Sequence, residues 1–130
     1  NILISSNNDV WLIDFDKCKI DYCAHDISYF LRRLLKRNTT NWNCGLTINL
    51  LNTYIKTKEL NNSDLKYILT YLSFPQKFWK ISRDYYKNID KCNKNAFITV
   101  LNKSLEKTKN QLEYVYEMIE ILSKYYGITF

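Results

Sequence analysis

Glycine and proline are almost absent from this 130-residue chain, which contains two glycines and one proline. Because tight turns depend on these two residue types, the chain is poorly suited to a fold made of many short strands. Apolar residues make up 46% of the sequence and aromatic residues 15%, which excludes a disordered segment. We therefore expect one domain, or a piece of one, built mainly from long helices.

Apolar residues at helical spacing define the predicted helices. Asp26 is placed to cap the first helix, which carries the apolar stripe Ile27, Phe30, Leu31, Leu34 and Leu35. Three further helices are predicted at Leu46–Lys58, from Ser63 or Asp64 to about Leu72, and from Pro75 onward. A long last helix runs from Ala96 to about Tyr126 and ends at Gly127, with Val100, Leu101, Leu105, Leu112, Val115, Ile119 and Leu122 on its apolar face.

A β-hairpin is predicted ahead of these helices. Ile2–Ile4 and Val10–Ile13 have the character of short strands, and the polar stretch Ser5–Asp9 forms the turn between them. The chain then divides into a hairpin over residues 1–14, a loop over 15–25 and a helical bundle over 26–130, with no second domain. The predicted fold class is mainly α with a small β-hairpin.

Several classes of function lack their sequence signature. The four cysteines show no CxxC spacing and His25 is the single histidine, so zinc is not expected. No apolar run approaches a membrane span and no signal peptide is present, so we expect a soluble intracellular protein with reduced thiols and no membrane partner. The net charge of +6 would suit a nucleic acid, but no recognition motif accompanies it.

The chemistry with the best support lies at the hairpin. Asp14 follows an apolar strand, and Asn1 precedes the paired strand, so the hairpin could bring the two side chains together. Carboxylate and amide oxygens are ligands that Mg²⁺ accepts, with phosphates and water completing the shell. The alternative is that both are polar residues at a hairpin end without a metal, since aspartate after a strand is common in turns.

A resemblance adds to this interpretation. The stretch NILI, VWLIDFDKCKIDYCAHDISYFLRR and the later FPQKFWKI with DYY resemble the aminoglycoside phosphotransferase and choline kinase superfamily. Within it, the pattern is most similar to the bacterial spore-coat protein S (CotS-like) group, over roughly residues 1–90. The resemblance implies the helical C-terminal lobe of a protein-kinase-like fold, truncated at its N-terminus.

The resemblance also assigns roles to individual residues. Asn1 matches the asparagine of the catalytic loop and Asp14 the aspartate of the IDFD motif, which together hold the metal and the nucleotide phosphates. Asp16 would either hold a group that contacts the metal or contact the substrate, and Asp26 matches an aspartate that braces the catalytic loop, besides its predicted capping role. The catalytic aspartate is expected five positions before Asn1, outside this chain, so the chain is expected to begin within the catalytic loop.

The resulting hypothesis is a fragment of an ATP- and Mg²⁺-dependent phosphotransferase-like spore-coat protein that carries the metal-binding half of the active site. Its partners would be ATP, a phosphoryl acceptor that the sequence does not identify, and other spore-coat proteins. It would be synthesised in the cytoplasm and associate with the spore coat. The alternatives are a non-catalytic structural coat component that retains the fold, and a basic helical nucleic-acid-binding domain.

Other residues have two interpretations each. His25 is expected to be a hydrogen-bonding loop residue rather than a catalytic base, and Asp21 a solvated loop acid. The basic cluster on the first predicted helix would be a solvated face or a phosphate-binding patch; it comprises Arg32, Arg33, Lys36 and Arg37. The aromatic residues after Pro75 would be core or a cage for a cationic substrate; they are Phe78, Trp79, Tyr85 and Tyr86.

Overall fold

The structure, a computed structural model, describes residues 2–16, 18–91 and 93–130. Two strands, β1 (Ile2–Ile4) and β2 (Val10–Leu12), precede five helices: α1 (Cys23–Leu35), α2 (Cys44–Ile55), α3 (Asn62–Ser73), α4 (Gln76–Lys87) and α5 (Lys94–Tyr126). A short 3₁₀ turn, Ile89–Lys91, lies between the last two helices. The expected fold class, mainly α with a small β-hairpin, is confirmed. No helix within the described ranges is both long enough and apolar enough to cross a membrane.

The hairpin forms as predicted. The strands are antiparallel, with Ile2 opposite Leu12 and Ile4 opposite Val10. The turn is closed by Ser5, whose backbone N–H donates to the Asp9 carbonyl at 2.9 Å and whose hydroxyl accepts from the Asp9 N–H at 3.1 Å. All six strand residues are exposed, so the described helices cover neither face of this hairpin.

Asparagines determine where three of the helices begin. Asn43, Asn61 and Asn93 each accept a backbone N–H of the following helix, which satisfies one of the donors that a helix start leaves unpaired. Asn61 forms a capping box with Asp64, whose carboxylate accepts the Asn61 N–H at 2.9 Å. The helices α2, α3 and α5 therefore begin one or two residues before the predicted starts.

Gly127 ends α5 as predicted. Its φ is 62°, the left-handed conformation that glycine adopts without steric cost. Its backbone N–H and that of Ile128 both donate to the Leu122 carbonyl. This turn folds the chain back so that Ile128, at 2% exposure, joins the core.

The core lies where α1 packs on α3 and where α5 packs on α2 and α3, while α4 packs on α5 outside the core. The buried apolar residues of α1 and of α3 recur every three or four positions, as the apolar stripes predict. The buried apolar residues are Ala24, Ile27, Leu31, Leu35, Cys44, Leu51, Leu65, Ile68, Leu69, Leu72, Tyr114, Met118, Leu122 and Ile128. Within the predicted stripe of α1, however, Phe30 is exposed and Leu34 only half-buried.

The predicted apolar face of α5 is confirmed only in part, because Leu122 is buried and Leu101, Val115 and Ile119 are half-buried, but the other three residues are exposed. Val100, Leu105 and Leu112 are exposed, while Ser104, Gln111, Tyr114, Met118 and Leu122 form the buried line. Two of these buried residues are polar, so hydrophobic periodicity could not find them. Which face of α5 is buried therefore depends also on hydrogen bonds to neighbouring elements, such as those from Gln111 to the end of α3.

The prediction that the aromatic residues of α4 belong to the core is also wrong for the described chain, because no residue of this helix is buried. Trp79 is 49% exposed and has the Arg83 guanidinium above its ring, 4.7 Å from the ring centre. Tyr85 stacks on Phe97 of α5, with 3.9 Å between ring centres. The helix therefore lies on the surface of the bundle and touches α5 along one side.

Candidate metal site at the end of the hairpin

Asp14 lies two residues beyond β2, and its side chain is exposed. Its φ is 64°, a left-handed conformation that few residues other than glycine adopt. Aspartate adopts it more readily than most because its side chain is short and polar. The chain therefore turns sharply after the strand, and Asn8, Asn41 and Trp42 also have positive φ angles.

Asp16 is the second exposed carboxylate of this segment. It lies in a tight turn, where the Cys18 N–H donates to the Phe15 carbonyl at 2.9 Å. Within residues 2–16, 18–91 and 93–130 no group of three or more His, Cys, Asp or Glu side chains is arranged to hold a metal. A cation bound at Asp14 would therefore take most of its ligands from water or phosphate oxygens, which is how Mg²⁺ commonly binds.

Asn1, the other predicted ligand, lies outside the described residues. Its pairing with Asp14 stays a prediction.

The loop between the hairpin and α1 is held by local polar contacts. Asp21 forms an ion pair with Lys19 at 2.7 Å and accepts the Tyr22 N–H at 2.8 Å. These two hydrogen bonds lower the pKa of the Asp21 carboxyl, and the same pair raises the pKa of Lys19. Both groups are at the protein surface, as a solvated loop acid requires.

The predicted capping role of Asp26 is wrong. α1 begins at Cys23, with Tyr22 in the capping position and no side-chain cap, so Asp26 is the fourth residue of the helix. The helix extends one turn earlier because the His25 N–H donates to the Tyr22 carbonyl at 2.8 Å. The Asp26 carboxylate is exposed and still lies in the first turn, where the helix dipole favours negative charge. Its bracing role stays a prediction.

His25 is a hydrogen-bonding residue, as expected, but it lies in α1 and not in the loop. Its Nδ1 lies 2.9 Å from the Tyr67 hydroxyl of α3, and its ring packs edge-on against Tyr71 at 5.2 Å between centres. The histidine is half-buried in this aromatic group. Its contacts join α1 to α3 and indicate a structural role.

Arg32 does not lie on a solvated face, the placement that the basic cluster predicts for it. It is 9% exposed and lies between α1 and α3. Its guanidinium donates to the carbonyls of Tyr71 at 2.8 Å, Leu72 at 3.4 Å and Phe74 at 2.6 Å. These carbonyls lie at the end of α3, where a helix leaves its last carbonyls without backbone donors. Pro75 indicates in the sequence that a helix ends here, because the residue before a proline is rarely helical.

Gln111 of α5 performs the same task from the other side. Its Nε2 donates to the Leu72 carbonyl at 2.6 Å and to the Phe74 carbonyl at 3.3 Å. The end of α3 is thus held by side chains from two helices that are distant in sequence. Gln111 is polar, so the apolar pattern of α5 gives no sign that it is an interior residue.

Comparison with known proteins identifies a family. Residues 9–118 match the family described as "Spore coat putative kinase YutH". The match contains Asp14, Asp16 and Asp26 and covers most of the chain. A search of curated proteins and a search of solved structures each found no match. The chain therefore belongs to the YutH family of spore coat kinase-like proteins.

Proposed function

We propose that the chain carries the metal-binding half of the active site of an ATP- and Mg²⁺-dependent phosphotransferase-like spore coat protein. The observation that supports this most directly is the position of Asp14. It is an exposed carboxylate, held in a left-handed turn just after β2, inside the segment that matches a spore coat kinase-like family. The finer relationship, to the spore-coat protein S group and the aminoglycoside phosphotransferases, belongs to the same proposal.

In this proposal the Asp14 carboxylate binds Mg²⁺, and the metal neutralises the nucleotide phosphates and orients them for transfer. Asn1 supplies a second oxygen ligand. Asp16 orients water or substrate near the metal, and Asp26 braces the neighbouring catalytic loop. The aspartate that accepts the proton of the phosphoryl acceptor is expected five positions before Asn1.

The test is Mg²⁺-dependent ATP binding by the protein expressed from its complete gene, measured by titration calorimetry. Replacing Asp14 by alanine removes a charged metal ligand, and we expect Mg·ATP affinity to fall by about tenfold or more, equivalent to about 1.4 kcal/mol. Asp90→Ala is the matched control, because it removes one exposed carboxylate from the 3₁₀ turn. Equal affinity in wild type and Asp14→Ala would refute the assignment.

The exposed hairpin favours a second candidate, a structural coat component that retains the kinase-like fold without transferring phosphate. Ile2, Leu3 and Ile4 on one strand and Val10, Trp11 and Leu12 on the other are all more than half exposed. A two-stranded hairpin is marginal by itself, so such a surface is suited to contact with another protein segment. If the wild-type protein binds no Mg·ATP but Leu3→Ser with Trp11→Ser abolishes its incorporation into the coat, this candidate is correct.

A further inference from the structure

A basic cleft lies between the end of α1, the first turn of α4 and the middle of α5. Its cavity has a volume of about 450 Å³, and Arg32, Lys36, Arg37, Lys77, Trp42 and Ser104 are among the residues that line it. A neighbouring cavity of about 370 Å³ shares Arg32 and Lys36 and adds Arg33. None of the described residues that line either cavity is acidic. The cleft therefore concentrates positive charge in a concave, partly apolar site.

Arg32 is the innermost cation of the cleft. Three of its five N–H groups are used by backbone carbonyls, two at Nη1 and one at Nη2. The ion pairs found among the described residues do not include it. Burial lowers the pKa of its guanidinium from the ordinary value, with Tyr71 opposing this shift. A buried cation without a carboxylate partner is costly, and a bound anion would offset that cost.

Ser104 supplies an observation that is independent of charge. Its side chain is 2% exposed, and within the described part of the chain its Oγ has no hydrogen-bond partner. Other hydroxyls of α5 behave differently: Thr99 and Thr108 donate to the carbonyls four residues earlier, at 3.0 and 2.9 Å. A buried hydroxyl without a hydrogen-bond partner destabilises the structure. Ser104 lines the cleft, so a ligand that opens it far enough to bring an oxygen to the buried Oγ would accept its proton.

The start of α4 adds backbone donors. Pro75, Gln76, Lys77 and Phe78 all line the cleft, and they include the capping position and first turn of a 12-residue helix. This first turn has no acidic residue and no side-chain cap. Pro75 has no N–H and the Gln76 N–H donates to the Phe74 carbonyl at 2.8 Å, so of these four residues only Lys77 and Phe78 can offer a backbone N–H. Such groups and the helix dipole at this end favour an anion, and phosphate most often.

We propose that this cleft binds a small phosphate monoester. The phosphate would lie between Lys36, Lys77 and the Ser104 hydroxyl, close to Arg32, and its organic group would contact Trp42 and Phe78. The cavity volume falls within the range of small-molecule sites. This site uses neither Asp14 nor the hairpin, so the proposal is independent of the proposed function above. It selects the phosphate-binding interpretation of the basic cluster over a purely solvated face.

The test uses the full chain, with phenyl phosphate and inorganic phosphate as probes and chloride at equal ionic strength as the reference. We expect phenyl phosphate to bind more tightly than inorganic phosphate, because its ring contacts Trp42 and Phe78. Ser104→Ala should weaken binding about fivefold, through the loss of one hydrogen bond to a charged acceptor. Lys77→Gln should weaken binding to a similar extent.

Lys66→Gln is the matched control, because Lys66 is exposed on α3 and lines neither cavity. Arg32 is left unchanged since its replacement could unfold the α1–α3 contact. No phosphate binding beyond that of chloride would overturn the proposal, as would equal binding in wild type and both cleft variants, or an equal loss in Lys66→Gln. Binding of a phosphopeptide without binding of phenyl phosphate would overturn the small-molecule ligand and assign the cleft to a phosphorylated protein.

Discussion

The buried hydroxyl pair between α2 and α5 gives a sharp test of how the bundle is held together. Thr47 and Tyr114 are 0% and 2% exposed, and their hydroxyl oxygens are 3.0 Å apart. Thr47 also donates to the Asn43 carbonyl at 3.3 Å, which uses its single proton. Tyr114 must then donate to Thr47, and burial raises the pKa of its phenol, which keeps that proton in place.

This direction of donation makes the two truncations unequal. Tyr114→Phe removes the donor and leaves Thr47 bonded to Asn43, so we expect a loss of about 0.5–1.5 kcal/mol in the free energy of unfolding. Thr47→Val leaves the Tyr114 hydroxyl buried without an acceptor, so we expect a loss of about 1–3 kcal/mol. The double variant should be no less stable than Thr47→Val alone, because the unpaired phenol is then absent.

The assay is urea unfolding of the full chain, followed by circular dichroism, with the four proteins forming a double-mutant cycle. Tyr126→Phe is the control, because it deletes a tyrosine hydroxyl whose partner, Asn52, is exposed. Strict additivity of the two substitutions, or a larger loss for Tyr114→Phe than for Thr47→Val, would refute the reasoning.

Two further predictions concern stability. Asn61→Ala deletes the capping box of α3 and should cost about 1 kcal/mol, whereas the exposed Asn102→Ala should cost much less; urea midpoints compare them. Burial, with help from the Glu117 carboxylate, raises the pKa of the Cys44 thiol from 9.0 to about 12. Its stabilising contribution is therefore complete below pH 9 and is lost between pH 9 and 12. Cys44→Ala should flatten the alkaline decline in stability, while Cys18→Ala, at an exposed position, should leave the decline unchanged.

Local signals predicted the hairpin and the helices well. The Ser5–Asp9 turn, the strand positions and the Gly127 end each depend on a few neighbouring residues, whose preferences act within one turn. The start of α1 was missed because its first turn has no side-chain cap to mark it. When a helix begins without a capping side chain, the sequence does not mark the residue at which the helix starts.

Long-range requirements explain the other errors. Arg32 and Gln111 are interior because carbonyls about 40 residues away need donors, and Ser104 is interior because it lies on the same side of α5 as Gln111. None of these residues is apolar, so hydrophobic patterns could not place them. The Asp14 hypothesis came from a motif, and the structure adds its exposure and left-handed backbone, while its ligand stays a prediction.

The fold-back at Gly127 has a consequence for the geometry of α5. The helix is fastened at Gln111, which holds the end of α3, and again where Ile128 enters the core. Between these two points the helix fixes both the distance and the relative rotation, because each residue adds a constant rise and a constant turn. One inserted residue would advance the far end by about 1.5 Å and rotate it by about 100°. Ile128 would then turn away from its place in the core, so this segment should accept changes in its exposed side chains far more readily than any change in its length.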